Sequence, residues 1–299
     1  MSIVVSNLRK SYGAFEAVRG LSFEVPQGSV FAFLGANGAG KSTTIGCITT
    51  TLSPTSGHVV VDGFDAVRDS DAVRKRIGVV FQQSILDPLL TVEENLRSRA
   101  GFYGLGRAKT TSRVKELTHL VGLEAFLRRP YGQLSGGQKR RADIARAIIH
   151  EPRVIFLDEP TAGLDPQSRE QIWSAMHELR QEQGVTIFLT THYMEETERA
   201  DEVCIIDAGR IVAEGTPAAL RSKYSSSILT VRGAEQARII DGLRGLGAVP
   251  QVSGDDVVVP VESAQQALAW LNAVPVDDFE FRHGTMDDVF LAVTQEVAA

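Results

Sequence analysis

Gly35-Ala36-Asn37-Gly38-Ala39-Gly40-Lys41-Ser42-Thr43 decides how this chain is read. The apolar run Val30-Phe31-Ala32-Phe33-Leu34 leads into it and Ser42 to Leu52 continues as a helix, so the order is strand, glycine loop, helix. Wrapping a polyphosphate requires backbone N–H groups turned inward, and glycines permit the dihedrals that turn them. The helix N-terminus adds partial positive charge. Lys41 can reach the β- and γ-phosphates and the Ser42 hydroxyl can ligate Mg²⁺, so the whole pattern, flanking strand included, is that of a P-loop. These residues imply nucleotide binding.

Immediately upstream, Leu21-Ser22-Phe23-Glu24-Val25 alternates as a strand and Pro26-Gln27-Gly28 turns the chain into the buried strand. Tyr12, between Ser11 and Gly13, offers a flat face for a base; the competing reading is an ordinary surface or core tyrosine near a turn. Downstream, His58-Val59-Val60-Val61 is a strand ending in the turn pair Asp62-Gly63, and Ile77-Gly78-Val79-Val80-Phe81 is a buried strand ending in Gln82-Gln83. From Ser84 to about Arg129 helix-forming residues dominate, with Thr91 and Glu94 spaced as a capping box. Leu134-Ser135-Gly136-Gly137-Gln138 is a second capping box, and its two glycines point to close approach of something to the backbone, with phosphate the natural candidate.

Val154-Ile155-Phe156-Leu157-Asp158-Glu159-Pro160 describes a central parallel strand with two acids at its carboxyl end. Ligands of open α/β sheets sit at that end, which suits Asp158 to Mg²⁺ and Glu159 to deprotonating an attacking water; by themselves the acids could equally cap a turn. Asp165-Pro166 starts a helix that stops at Gly184. Val185 to Thr191 is another buried strand followed by His192, a candidate partner for a γ-phosphate or its water, though a lone histidine is usually structural. Two further strands, Glu202 to Asp207 and Arg210 to Ala213, flank Ala208-Gly209.

Composition narrows the setting. The chain has 299 residues, 43% apolar, with 37 acidic and 31 basic residues spread along it, and no basic stripe points to nucleic acid. The two cysteines, Cys47 and Cys204, imply neither disulfides nor zinc, and a reduced, cytosolic setting fits. No stretch approaches the roughly 20 uncharged apolar residues of a membrane span, so any membrane role needs another chain to do the crossing.

Taken together, the motifs over roughly residues 2 to 222 resemble the nucleotide-binding subunit of an ABC transporter, the Leu134–Gln138 stretch matching the ABC signature. The resemblance implies a P-loop NTPase of the ABC type, an α/β fold with a RecA-like core, an antiparallel β subdomain and a helical subdomain at about 84–145. It implies that Tyr12 and Val18 contact the nucleotide, that Asn37, Gly38, Ala39, Gly40, Lys41, Ser42 and Thr43 hold ATP, and that Ser42, Gln82 and Asp158 hold Mg²⁺. Glu159 would be the catalytic base, assisted by His192, Gln82 and Lys41, with Gln82 preferred over Gln83 because it directly ends the strand. Ser135, Gly136, Gly137, Gln138 and the D-loop Asp165 would complete the site of a second subunit in a head-to-tail dimer. Ala36 stands where proline is frequent and Gly163 where alanine is; neither change removes a functional group. The segment Ile85 to Leu90 would dock a transmembrane permease, or else pack within the helical insertion.

The ATPase domain is expected over 1–222, a linker over 223–227 within a Gly215–Ser227 loop, and an accessory domain over 228–299 whose order βαββαβ plus a helix predicts a small α+β ferredoxin-like fold. Its ending, Thr285-Met286-Asp287-Asp288-Val289-Phe290-Leu291, resembles ATPase subunits of ABC-2-type exporters such as the daunorubicin-resistance kind. This implies a peripheral ATPase on the cytoplasmic face of the membrane powering export of drugs or lipophilic compounds. The alternatives are a soluble regulatory ABC ATPase, which usually carries two cassettes per chain, and an importer subunit.

Overall fold

The computed structural model describes residues 1–298. Ala299, the last residue of the expected accessory domain, lies outside them. Two compact units divide after Glu214.

The first unit opens with β1 (Ile3–Tyr12) and β2 (Phe15–Val25), an antiparallel hairpin whose closing pair is Tyr12 and Phe15. Then come β3 (Val30–Leu34), buried along its whole length, and α1 (Lys41–Ile48). Next are β4 (Ser56–Val61), β5 (Phe64–Asp65), α2 (Ser70–Arg76) and β6 (Ile77–Val80). A helical region follows: α3 (Val92–Phe102), α4 (Arg107–Leu120), a 3-10 turn at Tyr131–Gln133, and α5 (Gly136–Ile148). The unit closes with β7 (Val154–Asp158), α6 (Pro166–Gln183), β8 (Thr186–Thr191), α7 (Met194–Thr197), β9 (Glu202–Asp207) and β10 (Arg210–Gly215).

Local chemistry sets the helix ends. Thr91 and Glu94 form a reciprocal capping box at α3, as do Ser135 and Gln138 at α5. Asp165 accepts the Ser168 N–H at 2.9 Å ahead of Pro166, and α6 stops at Gly184, whose φ of +62° is the left-handed turn glycine tolerates. α1 is shorter than expected, because Thr51 and Leu52 turn their N–H groups back to the Gly46 carbonyl.

Two sheets form the core. One has the order β2-β1-β4-β5 and the other β10-β9-β3-β8-β7-β6. Phe23 from the first sheet stacks against Phe31 at 5.5 Å, and Phe31, Phe33 and Phe156 all pack around Phe188 at 5.3–5.5 Å. Each fully buried ring contributes about 1.5–3 kcal/mol, so this cluster binds the sheets face to face. Within the second sheet β3, β6, β7, β8 and β9 run parallel, pairing Leu34 with Thr191, Asp158 with Thr190, and Val80 with Leu157. That register brings the carboxyl ends of β3, β6, β7 and β8 to one edge.

The second unit starts at Gly215, and here the expected boundaries differ from the structure. Residues expected as loop and linker form α8 (Pro217–Tyr224), because Thr216 caps it by accepting the Ala219 N–H at 3.2 Å and Pro217 takes the first helical position. A Thr-Pro pair reads as a turn as readily as a helix start; packing of α8 against the final helix, with Leu220 buried, decides for helix. Then follow β11 (Ser227–Arg232), α9 (Gln236–Gly245), β12 (Gln251–Ser253), β13 (Asp256–Val261), α10 (Ala264–Ala273), β14 (Asp278–Arg282) and α11 (Met286–Ala298). The sheet order β12-β13-β11-β14, antiparallel throughout, is the ferredoxin-like arrangement. One apolar cluster joins Leu229, Val231, Val257 and Val259 to Ile239, Leu243 and Trp270 of its helices.

Candidate functional site

The glycine loop follows β3 directly. Gly40, the residue before α1, has φ +107°, and a Cβ there would stand 2.7 Å from the Ala17 carbonyl oxygen, so both conformation and space require glycine. No side chain caps α1 and its first turn carries no acid, which leaves a positive helix terminus facing the cleft. Lys41 is 7% exposed and folds over its own loop, donating to the carbonyls of Gly35 at 2.6 Å and Ala36 at 3.1 Å. Burial pulls its ammonium pKa below the usual lysine range, an effect partly offset by Glu159 and Asp158.

On the neighbouring strands, the Thr190 hydroxyl donates to Asp158 Oδ1 at 2.6 Å and accepts the Glu159 N–H at 3.1 Å. Glu159 adopts φ +47°, an uncommon conformation for a non-glycine residue that tertiary contacts must hold. Its carboxylate is 14% exposed and lies between Gln82 Nε2 at 3.4 Å and His192 Nδ1 at 3.1 Å. Four strand ends therefore deliver Lys41, Gln82, Asp158, Glu159 and His192 to one cleft of about 720 Å³.

Asn37, Gly38, Gly40, Ser42 and Thr43 line the same cleft, and Tyr12 stands at its mouth, 49% exposed. Phe15, its hairpin partner and 60% exposed, lines the mouth too; sequence reasoning missed it, though two aromatics around Gly13-Ala14 were the available signal. Val18 and Ala39 are buried and do not line this cleft. Ser135, Gly137, Gln138 and Asp165 lie outside this cleft, and Gly136 borders a separate depression that reaches Gln82 and Glu159 from α5.

A Cβ on Gly137 would stand 2.3 Å from Ser168 Oγ and 2.7 Å from Ser168 Cβ, so within the chain α6 packs directly against this glycine. Ser168 Oγ in turn donates to Asp165 at 2.6 Å, and this bond holds the Asp165 carboxyl below the usual carboxylate range.

The family profile described as ABC transporter matches residues 18–162. The Nod factor export ATP-binding protein I of Paraburkholderia xenovorans is 38% identical over 295 residues, covering 98% of this chain and 97% of the relative. The chain belongs to the ABC transporter family. The daunorubicin/doxorubicin resistance ATP-binding protein of Streptomyces peucetius is similar to this ABC protein at 38% identity, over 98% of the chain and 92% of the relative. Among solved structures, cbiO1 from Clostridium perfringens, part of the ABC transporter complex cbiONQ, has a TM-score of 0.69 at 30% identity, covering 82% of this chain and 96% of that one. A dimeric ATP-binding cassette in a post-hydrolysis state with ADP and Pi has a TM-score of 0.66 at 30% identity, covering 72% and 98%. This ABC protein is thus an ATP-binding, ATP-hydrolysing subunit. Among its described residues no helix is long and apolar enough to cross a membrane.

Proposed function

We propose that this ATPase powers export through a separate ABC-2-type permease, docked on the cytoplasmic face of the membrane as one half of a head-to-tail cassette dimer. Drugs or other lipophilic compounds are the substrate class. Support for export comes from the relatives, one named for Nod factor export and another for daunorubicin resistance. The observation that carries the hydrolytic reading is the Glu159 carboxylate, held between Gln82 and His192 at the edge that carries the P-loop.

In this reading Tyr12 stacks on the adenine, with Val18 behind it, and residues Asn37 to Thr43 hold the phosphates. Lys41 exchanges its two loop carbonyls for β- and γ-phosphate oxygens. Glu159 accepts the proton of the attacking water and His192 orients that water and the γ-phosphate. The donor set Ser42, Asp158 and Gln82 is all hard oxygen, and Asp158 has one carboxylate oxygen engaged by Thr190, which suits Mg²⁺. Mg²⁺ there would neutralise charge on the phosphates. Ser135, Gly136, Gly137, Gln138 and Asp165 lie outside their own cleft, in keeping with their closing over ATP held by a second subunit.

Glu159→Gln tests the core of this proposal. It should bind ATP, accumulate as an ATP-bound dimer and hydrolyse at least about a hundredfold more slowly, the usual contribution of a general base. Near-normal turnover would remove Glu159 from the role. Purification from native membranes tests the partner: a polytopic protein without a binding-protein component supports export, and purely soluble partners point to a regulatory ATPase.

A further inference from the structure

Arg140 lies on α5, two residues beyond the signature Gln138, and is 8% exposed. Each of its three guanidinium nitrogens donates to a main-chain carbonyl: Nη1 to Phe81 at 2.6 Å, Nη2 to Asp158 at 2.5 Å and Nε to Pro160 at 2.9 Å. Phe81 immediately precedes Gln82, and Asp158 and Pro160 are the residues on either side of Glu159. The nearby buried carboxylate does not claim the guanidinium by hydrogen bonding, since Asp143 accepts from Ser84 at 2.6 Å and Tyr131 at 3.0 Å.

We infer that Arg140 is a positioning residue that clamps the Gln82 loop and the Glu159 turn to the signature helix. The assignment rests on Glu159 being the base. Glu159 is held in an uncommon left-handed conformation, and such a turn persists only when its surroundings over-determine it. Thr190 fixes the Glu159 N–H, and Arg140 fixes the carbonyls before and after it. The third bond, to Phe81, keeps Gln82 within reach of the Glu159 carboxylate. A planar fork with fixed donors suits three carbonyls in different directions, which a lysine ammonium on a flexible stem does not. Burial pulls the Arg140 pKa down, with Asp143 and Asp158 offsetting part of this. A desolvated cation of this kind is costly unless it is hydrogen-bonded, and here each of its three nitrogens donates to a carbonyl. Because the clamp is rooted about one turn into α5, displacement of the helix whose N-terminus carries Ser135 to Gln138 is transmitted to the hydrolytic turn of the same subunit.

The test uses the purified full-length chain and five variants: R140Q, R140K, E159Q, R140Q/E159Q and R140K/E159Q. Steady-state kcat and KM, single-turnover hydrolysis, MgADP affinity and thermal midpoint are measured for each. R140Q should lose about 10- to 100-fold in kcat, the range expected when a reacting group is misplaced by an ångström, while KM and MgADP affinity are retained. R140K should be equally impaired, since charge without the fork does not restore the geometry. In the E159Q background R140Q should add no further loss, because the two act as one unit.

A folded R140Q with wild-type kcat overturns the inference. So does full rescue by R140K, loss of kcat and MgADP affinity in step, or an equal R140Q effect with and without Glu159. If R140Q does not fold, R140K and its double variant with E159Q carry the same comparison. Normal turnover by E159Q sinks the base assignment itself, whereas an active R140Q beside an inactive E159Q sinks only the clamp.

Discussion

Gly137→Ala separates packing from nucleotide contact at the signature. Gly137 is the second residue of α5, where alanine would by propensity alone add about 1 kcal/mol of stability. The structure predicts the opposite. The new methyl would sit 2.3 Å from Ser168 Oγ and 2.7 Å from Ser168 Cβ. The hydroxyl can rotate away only by giving up its 2.6 Å bond to Asp165, a loss that offsets the propensity gain. Cβ cannot rotate, and restoring ordinary contact of 3.4 Å from 2.7 Å requires α5 and α6 to separate by roughly 0.7 Å. Overpacking of this kind costs about 1–3 kcal/mol, so after the propensity gain the variant should be destabilised by about 1–3 kcal/mol. Urea melts of G137A, S168G and the double variant measure it. S168G removes both clashing atoms, and the double variant should recover at least about 1 kcal/mol relative to additivity. A G137A protein as stable as wild type, or additive effects in the double, would refute the reasoning. Recovery of stability without recovery of ATPase activity would assign the Gly137 backbone a second duty beyond packing.

Thr190→Val keeps the shape of the side chain but removes the hydroxyl that holds Asp158 and the Glu159 N–H, leaving Asp158 Oδ1 short of a donor. We expect a stability loss of about 1–3 kcal/mol and an ATPase curve shifted to higher Mg²⁺, read by titrating Mg²⁺ at fixed ATP. In the second unit, Arg282, aided by Thr285, lowers the Asp288 carboxyl from 3.8 to about 2. A depressed acid stabilises fully above its unfolded value and loses that contribution as pH falls, here from about 3.8 down to about 2. Because Arg282 is 40% exposed, the contribution is discounted for solvent screening to about 1 kcal/mol. Trp270, the sole tryptophan left in a Trp173→Phe background, reports acid unfolding of this unit, and Asp288→Asn should remove that acid-dependent step while lowering stability at neutral pH.

Helix ends were legible because their chemistry is local. Thr91 with Glu94, Ser135 with Gln138, Asp165 with Pro166 and Gly184 each act within one helical turn, and all appear where sequence spacing puts them. The glycine loop, the acids closing β7 and the histidine after β8 could likewise be listed from sequence, since each directly follows a buried strand. The family could be recognised from the order of those motifs alone.

Their convergence was a matter of strand order. β3 pairs with β8, more than 150 positions away in the chain, and only that register carries His192, Asp158 and Glu159 to the P-loop edge. The same holds for α8, which packing turns from an apparent linker into a helix, and for Gly137, whose missing side chain makes room for Ser168. Arg140 stands between Lys139 and Arg141 in the sequence, and nothing local distinguishes it from them; its three carbonyl partners lie 18 to 59 positions away. Sequence determined which chemical groups this protein carries and where its helices begin and stop, because those choices are made by neighbours within a few residues. Tertiary structure decided which groups meet, because burial and carbonyl satisfaction depend on segments distant in the chain, and no local pattern records that pairing.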